Sequence, residues 1–212
     1  TFLSNTHAED KYKIINALHP YKVVTAHGPS PCEMQTGWQG GIEQALNRGN
    51  DWGIADKLDG IGCSNFPAWW SMLNTDYTMS MEMIHSAARG KKFWVSELQG
   101  GRSNIGFAVH NPVRAVDQQR WLWNSIACGA DTVLFWCWRD EIFGQESNGF
   151  GFIGNDGFKE ERIAAMQHSG GLLKKHAGLL DNYKPSNAEV AILFSPQTYY
   201  LYWAQDGTAQ KV

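Results

Sequence analysis

The stretch Phe93-Trp94-Val95-Ser96-Glu97-Leu98-Gln99-Gly100-Gly101 decides how this chain is read. An uncharged, largely apolar run leads into a single carboxylate, and two glycines close it. A short continuous apolar run reads as a strand buried on both faces, the pattern of a parallel sheet covered by helices. Burial disfavours a carboxylate unless it is hydrogen-bonded or paired. Glu97 is therefore either a solvated strand-end residue or a chemical group. The Gly-Gly pair adds weight to the second reading, because it lets something approach the backbone closely.

Three other runs share this texture, at 21–27, 58–64 and 132–138. The four strand centres, Val24, Gly62, Val95 and Leu134, lie 38, 33 and 39 residues apart. A (β/α)8 barrel of ~250 residues has ~31 residues per unit, more with elaborated loops. Between the strands fall helical patterns at 8–18, at 42–46 leading into 52–57, at 75–88, at 111–128 and at 160–176. The 75–88 pattern places Met79, Met83, Ile84 and Ala87 on one face, and Pro112 sits near the first turn of the next helix. The fold class is α/β, and four such units make either a small doubly wound sheet or half of a barrel. After Leu180 the texture turns polar, with Pro185, and reads as a linker. A new strand then starts at 189–195. The expected boundary lies near residue 183, dividing 1–182 from 183–212. About 30 residues are too few to bury a core of their own.

Composition narrows the function classes. The chain has 212 residues and a net charge of −3, with 43% hydrophobic and 18% charged residues, so it is globular rather than disordered. There is no basic run, so nucleic acid is not the expected partner. No apolar stretch reaches ~18 residues, so no membrane span is expected, and there is no signal-peptide pattern. The four cysteines, Cys32, Cys63, Cys128 and Cys137, include no C-x-x-C pair. They read as separate thiols, and a reducing, cytoplasmic setting is favoured. Metal-ligand spacing, a G-x-S-x-G elbow, a Walker A loop and a strand-linked G-x-G-x-x-G are all absent. Neither metal nor cofactor is called for.

In parallel α/β folds the active groups sit at the carboxyl ends of the strands. The residues there are His27, Asn65, Glu97 and Trp138-Arg139. Arg139 either pairs with a neighbouring carboxylate such as Glu97 and holds it ionised, or forms a structural ion pair. Glu146 sits in the loop 144–152, which is too Gly-rich to be a helix; it is a site residue or a solvated one. His27 either binds a hydroxyl or is a satisfied core residue. The 10 Trp are scattered, several in strand-end loops. Flat aromatic faces suit the C–H faces of sugar rings, and equally fill a core.

The segments 94–101, 129–139 and 144–146 together resemble glycoside hydrolase family 42, the β-galactosidase family. Residues 58–67 and 21–27 resemble its two preceding barrel strands, so that the likeness spans roughly 10–200. The resemblance implies strands five to eight of a (β/α)8 barrel, the C-terminal half of that domain, followed by the first strand of an α/β domain used in trimer formation. It implies a retaining β-glycosidase, most simply a β-galactosidase, with Glu97 as nucleophile. Trp138, Arg139, Glu146, His27 and Asn65 would bind the carbohydrate. The family's acid/base is a Glu after an Asn on strand four. No Asn-Glu pair occurs here, so that residue is expected upstream of Thr1 and this chain alone is expected to be inactive. Two family positions differ: Ile105 stands where better-known members have a Trp, and Gly149 where they have a His. These departures leave the reaction type and open the choice of sugar. The alternatives are a non-catalytic carbohydrate-binding protein on a barrel scaffold, or another retaining barrel glycosidase of the β-mannanase or endoglucanase type.

Overall fold

A computed structural model describes residues 2–29, 50–195, 197–198, 201 and 204–205. In chain order the elements are α1 (Phe2–Leu18), β1 (Thr25–Pro29), α2 (Asp51–Ala55), β2 (Gly60–Asn65), α3 (Asn74–Ala88), β3 (Lys92–Gln99), β4 (Asn104–Ile105), β5 (Ala108–Val109), α4 (Ala115–Ala127), β6 (Thr132–Trp136), α5 (Lys159–Lys175) and α6 (Ala177–Leu180). The strands β1, β2, β3 and β6 are hydrogen-bonded neighbours in that order. β1 and β2 run parallel, from Thr25 opposite Gly60 to Pro29 opposite Ser64. A helix separates each of these four strands from the next, which is the alternation the apolar runs predict. Every residue of β2 is buried, as a strand covered on both faces requires.

The chain forms two compact units, one of residues 1–64, 82–94 and 186–212, the other of 65–81 and 95–185. In the first, the Asp59 carboxylate accepts from the Tyr12 hydroxyl at 3.0 Å and from the Val24 N–H at 3.0 Å. Lys91 Nζ donates to the carbonyls of Ala55, Asp56 and Leu58 at 2.7, 3.2 and 2.8 Å. It thereby satisfies carbonyls that the short helix α2 leaves open at its C-terminal end. In the second unit α4 packs on α5. The hydroxyls of Tyr77 and Ser125 meet at 2.7 Å in its core, and Asn124 Nδ2 donates to Thr78 Oγ1 at 2.7 Å.

Several expectations are corrected. β1 starts at Thr25 rather than residue 21, because a turn at His19–Lys22 intervenes (Lys22 N–H to His19 C=O, 3.1 Å) and Val24 is tied to Asp59. Tyr21 and Val23 are exposed despite their apolar character. The buried face of α3 carries Tyr77, Ser80, Met81, Ile84, Ala87 and Ala88, while Met79 points to solvent. Helix α4 starts at Ala115, three residues beyond Pro112, where the Asp117 carboxylate accepts the Arg114 N–H at 3.2 Å. β6 ends at Trp136, so Trp138 lies on the loop.

Residues 189–195 form no strand. Val190, Ile192 and Leu193 are exposed, and an extended segment becomes a strand only when its backbone N–H and C=O groups find a ladder partner. Among the described residues no strand runs beside it, although the Phe194 ring meets that of Trp52 at 6.1 Å. The helix expected at 42–46 and Cys32 lie outside the described residues.

Candidate active site

Glu97 sits on β3, two residues before the strand ends at Gln99. Along β3 burial alternates from Phe93 to Ser96 and then breaks, Ser96 and Glu97 both being half-buried. Glu97 is therefore not enclosed like Val95, which follows the strict period-two pattern. Leu98 and Gln99 beyond it are buried again. Glu97 occupies the last partly open position of the strand.

Gln99 organises the loops at this end of the strand. Its side-chain oxygen accepts the backbone N–H groups of Ala68 at 3.0 Å and Trp69 at 3.1 Å, and its Nε2 donates to Gly101 C=O at 2.9 Å. One carboxamide thus joins the loop after β3 to the loop after β2, which starts from the fully buried Asn65. Rings reinforce the junction: Phe66 packs edge-on against Phe150 at 5.3 Å and against Trp69 at 5.7 Å.

The loop after β6 closes on the same place. Gly100 N–H donates to Trp136 C=O at 2.8 Å, and Phe150 N–H to Arg102 C=O at 2.8 Å. A Cβ at Gly100 would lie 2.7 Å from Phe150 O and 3.0 Å from the carbonyl oxygens of Cys137 and Trp136. What the Gly-Gly pair admits is therefore the protein's own backbone. The peptide bond between Trp136 and Cys137 is cis.

The side chains expected around Glu97 divide. Trp138 is exposed and lies nearly parallel to the buried ring of Phe152, at 6.1 Å and 11°. Glu146 is half-buried in the same loop, whose ends are held by Asn148 N–H to Glu141 C=O at 2.9 Å and Asn104 Nδ2 to Ser147 C=O at 2.9 Å. The Arg139 side chain is exposed, and among the described residues it forms no ion pair, so the anticipated pairing with Glu97 is not made. Asn65 lies in the same unit as Glu97. His27 belongs to the first unit, where it lines a cavity of about 330 Å³ with His7, Lys11 and Asp51. Among the described residues no cluster of His, Cys, Asp or Glu is arranged to hold a metal ion. No helix among them is long and apolar enough to cross a membrane.

Glu97 is a half-buried carboxylate near the carboxyl end of its strand, and Trp138 presents an exposed indole on the loop after β6. The family model for glycoside hydrolase family 42, Beta-galactosidase, matches residues 7–176. The chain belongs to this family. Among curated relatives, the Beta-galactosidase of Thermus thermophilus is 30% identical over 135 residues, which is 61% of this chain and 19% of that protein. Beta-galactosidase Bga of Halorubrum lacusprofundi is 25% identical over 170 residues, 73% of this chain and 23% of that protein. The chain thus spans about a fifth to a quarter of these relatives. A solved structure of a beta-galactosidase from Halorubrum lacusprofundi superposes with a TM-score of 0.72 at 21% identity, covering 95% of this chain and 29% of that one. That likeness establishes the fold of this family 42 chain: β1, β2, β3 and β6 are the second half of a (β/α)8 barrel.

Four residues that hold the loops around these strand ends carry little or no signal in the sequence. Gln99 and Asp140 fall at strand ends, but no motif gives either a role. The Asp140 carboxylate accepts from Gly151 N–H at 2.9 Å and Asn155 N–H at 3.0 Å, folding the β6 loop back on itself. Phe152 and Arg162 have no local signal at all, since the partners that matter are contributed by other segments.

Proposed function

We propose that this family 42 chain carries the nucleophile half of a retaining β-galactosidase active site. Glu97 attacks the anomeric carbon of a terminal β-linked sugar. The C1–O bond to the leaving group breaks as that oxygen takes a proton from a second carboxyl, and a glycosyl ester forms on Glu97. Water, deprotonated by the same second group, then cleaves the ester with net retention. The second carboxyl would stand ~5–5.5 Å from Glu97 and is expected outside these 212 residues. Trp138 offers its exposed ring to the sugar's C–H face, and Glu146 and Arg139 their polar reach, with Asn65 and His27 as further binding candidates. Ile105 and Gly149 open the choice between galactoside, arabinopyranoside and fucoside. Neither metal nor redox cofactor enters this reading. We further propose that the segment after Pro185 leads into a following α/β domain and that the full-length protein is a homo-oligomer, by resemblance a trimer.

The observation that carries the reading is the position of Glu97, half-buried two residues before the end of β3 in a chain matched to this family over 7–176. The test is covalent trapping. The full-length protein, incubated with a 2-deoxy-2-fluoro β-galactosyl fluoride, should gain one fluoroglycosyl mass on the peptide bearing Glu97. Glu97→Gln should abolish both labelling and turnover of nitrophenyl β-galactoside while leaving the circular dichroism spectrum unchanged. Labelling of another carboxylate, or turnover by the variant near the parent's, would exclude Glu97 as nucleophile.

A further inference from the structure

Arg162 lies on α5, away from any strand end, and is fully buried. Its Nε donates to Phe152 C=O at 2.8 Å, Nη1 to Val113 C=O and to Asp156 Oδ2 at 2.8 Å each, and Nη2 to Gly151 C=O at 3.3 Å. The Arg162–Asp156 pair has side-chain exposures of 0% and 3%. A buried ion pair contributes little net stability relative to apolar residues of the same volume, yet is costly to break. What the pair does here follows from the carbonyls that the same guanidinium holds.

The geometry shows where the guanidinium acts. Two of its three carbonyl partners are consecutive residues, Gly151 and Phe152. Those residues and their neighbours hold the exit of β6: Cys137 N–H donates to Phe150 C=O at 2.9 Å, Phe152 N–H to Cys137 C=O at 2.7 Å, and Ile153 N–H to Trp138 C=O at 3.0 Å. The Phe152 ring is the floor under Trp138. The indole is 66% exposed and, among the described residues, Phe152 is its ring partner. A planar fork fixes two adjacent carbonyls in a way that a single ammonium cannot.

We infer that Arg162 is a positioning residue for sugar binding: through Gly151 and Phe152 it sets the height and tilt of the Trp138 ring. This rests on the reading of Trp138 as a sugar contact. An indole stacked on a sugar ring holds substrate and transition state alike. Misplacing it therefore raises KM and spares kcat.

The test uses the full-length protein and nitrophenyl β-galactoside, with Arg162→Lys, Phe152→Leu and Trp138→Ala. Arg162→Lys keeps the charge opposite Asp156 and loses the fork. Phe152→Leu keeps the backbone clamp and loses the floor, so it reads the same effect if Arg162→Lys folds poorly. We expect each to raise KM about tenfold with kcat changed by less than about threefold, and to weaken the change in Trp fluorescence that galactose produces in the parent. A KM raised in Trp138→Ala but unchanged in both Arg162→Lys and Phe152→Leu, with only the melting temperature lowered, would overturn this inference alone. A KM unchanged in Trp138→Ala would overturn it together with the role of Trp138. The nucleophile assignment is tested separately by trapping.

Discussion

The side-chain oxygen of Gln99 accepts the backbone N–H of Trp69 at 3.1 Å, joining two loops from different strands two residues beyond Glu97. The same oxygen takes the Ala68 N–H at 3.0 Å. Gln99→Ala removes this acceptor from both N–H groups. Loss of the two part-buried hydrogen bonds costs about 1–3 kcal/mol of unfolding free energy. Urea denaturation of the two proteins measures this, and we expect a lower midpoint with an unchanged m-value.

Gly100 faces three backbone carbonyls rather than yielding side chains. A methyl group there has no room unless β6 or its loop shifts. Gly100→Ala should destabilise by about 1–3 kcal/mol and reduce activity by displacing Trp138. Gly106 provides the control: a Cβ there meets nothing within 4 Å, although its φ of +58° favours glycine. Gly106→Asn should therefore lower the melting temperature less than Gly100→Ala does, since Asn adopts that region more readily than most residues.

Glu9 bridges Lys13 at 2.8 Å and Lys57 at 3.0 Å. Hydrogen bonds from Lys13 and Lys57 hold its carboxyl at about 2 instead of 4.5. A carboxyl that is more acidic in the folded chain than in the unfolded one favours folding when it is ionised. The contribution is complete above the unfolded value of 4.5 and fades as pH falls toward 2. Glu9→Gln should flatten this part of a stability-against-pH curve. Superimposable acid limbs for parent and variant would refute the assignment.

Cys137 sits between Trp136 and Trp138 with its thiol donating to Arg139 C=O at 2.9 Å. Burial pushes this thiol above its ordinary 9.0, and the charges of Glu141, Asp140 and Glu146 push it the same way. The thiolate is the nucleophile in alkylation. Iodoacetamide should therefore modify the Cys137 peptide slowly at pH 8, with the rate climbing only above pH 9. Glu141→Gln should move that rise to lower pH. Rapid labelling of Cys137 at pH 7 would contradict the geometry.

The layout of strands and helices was legible in the sequence because it depends on local pattern. The continuous apolar runs at 58–64 and 93–98 marked β2 and β3 to within a few residues, and the strand-end position of Glu97 came with them. The errors have one cause. Tyr21, Val23 and Met79 are apolar yet exposed, and so are Val190, Ile192 and Leu193. Hydrophobicity records what a residue would gain by burial, not whether a surface is there to cover it.

Alone, the sequence determined the α/β alternation, the place of Glu97 and the family. Only the tertiary structure decided how the loops at these strand ends are held together. Gln99 reaches Ala68 across 31 residues and Arg162 reaches Val113 across 49. The Gly-Gly pair makes room for neighbouring carbonyls, and Arg139 is exposed and forms no ion pair among the described residues. Periodicity is set by residues three or four apart. A hydrogen bond between segments tens of residues apart depends on the path of the chain between them, which no local pattern encodes.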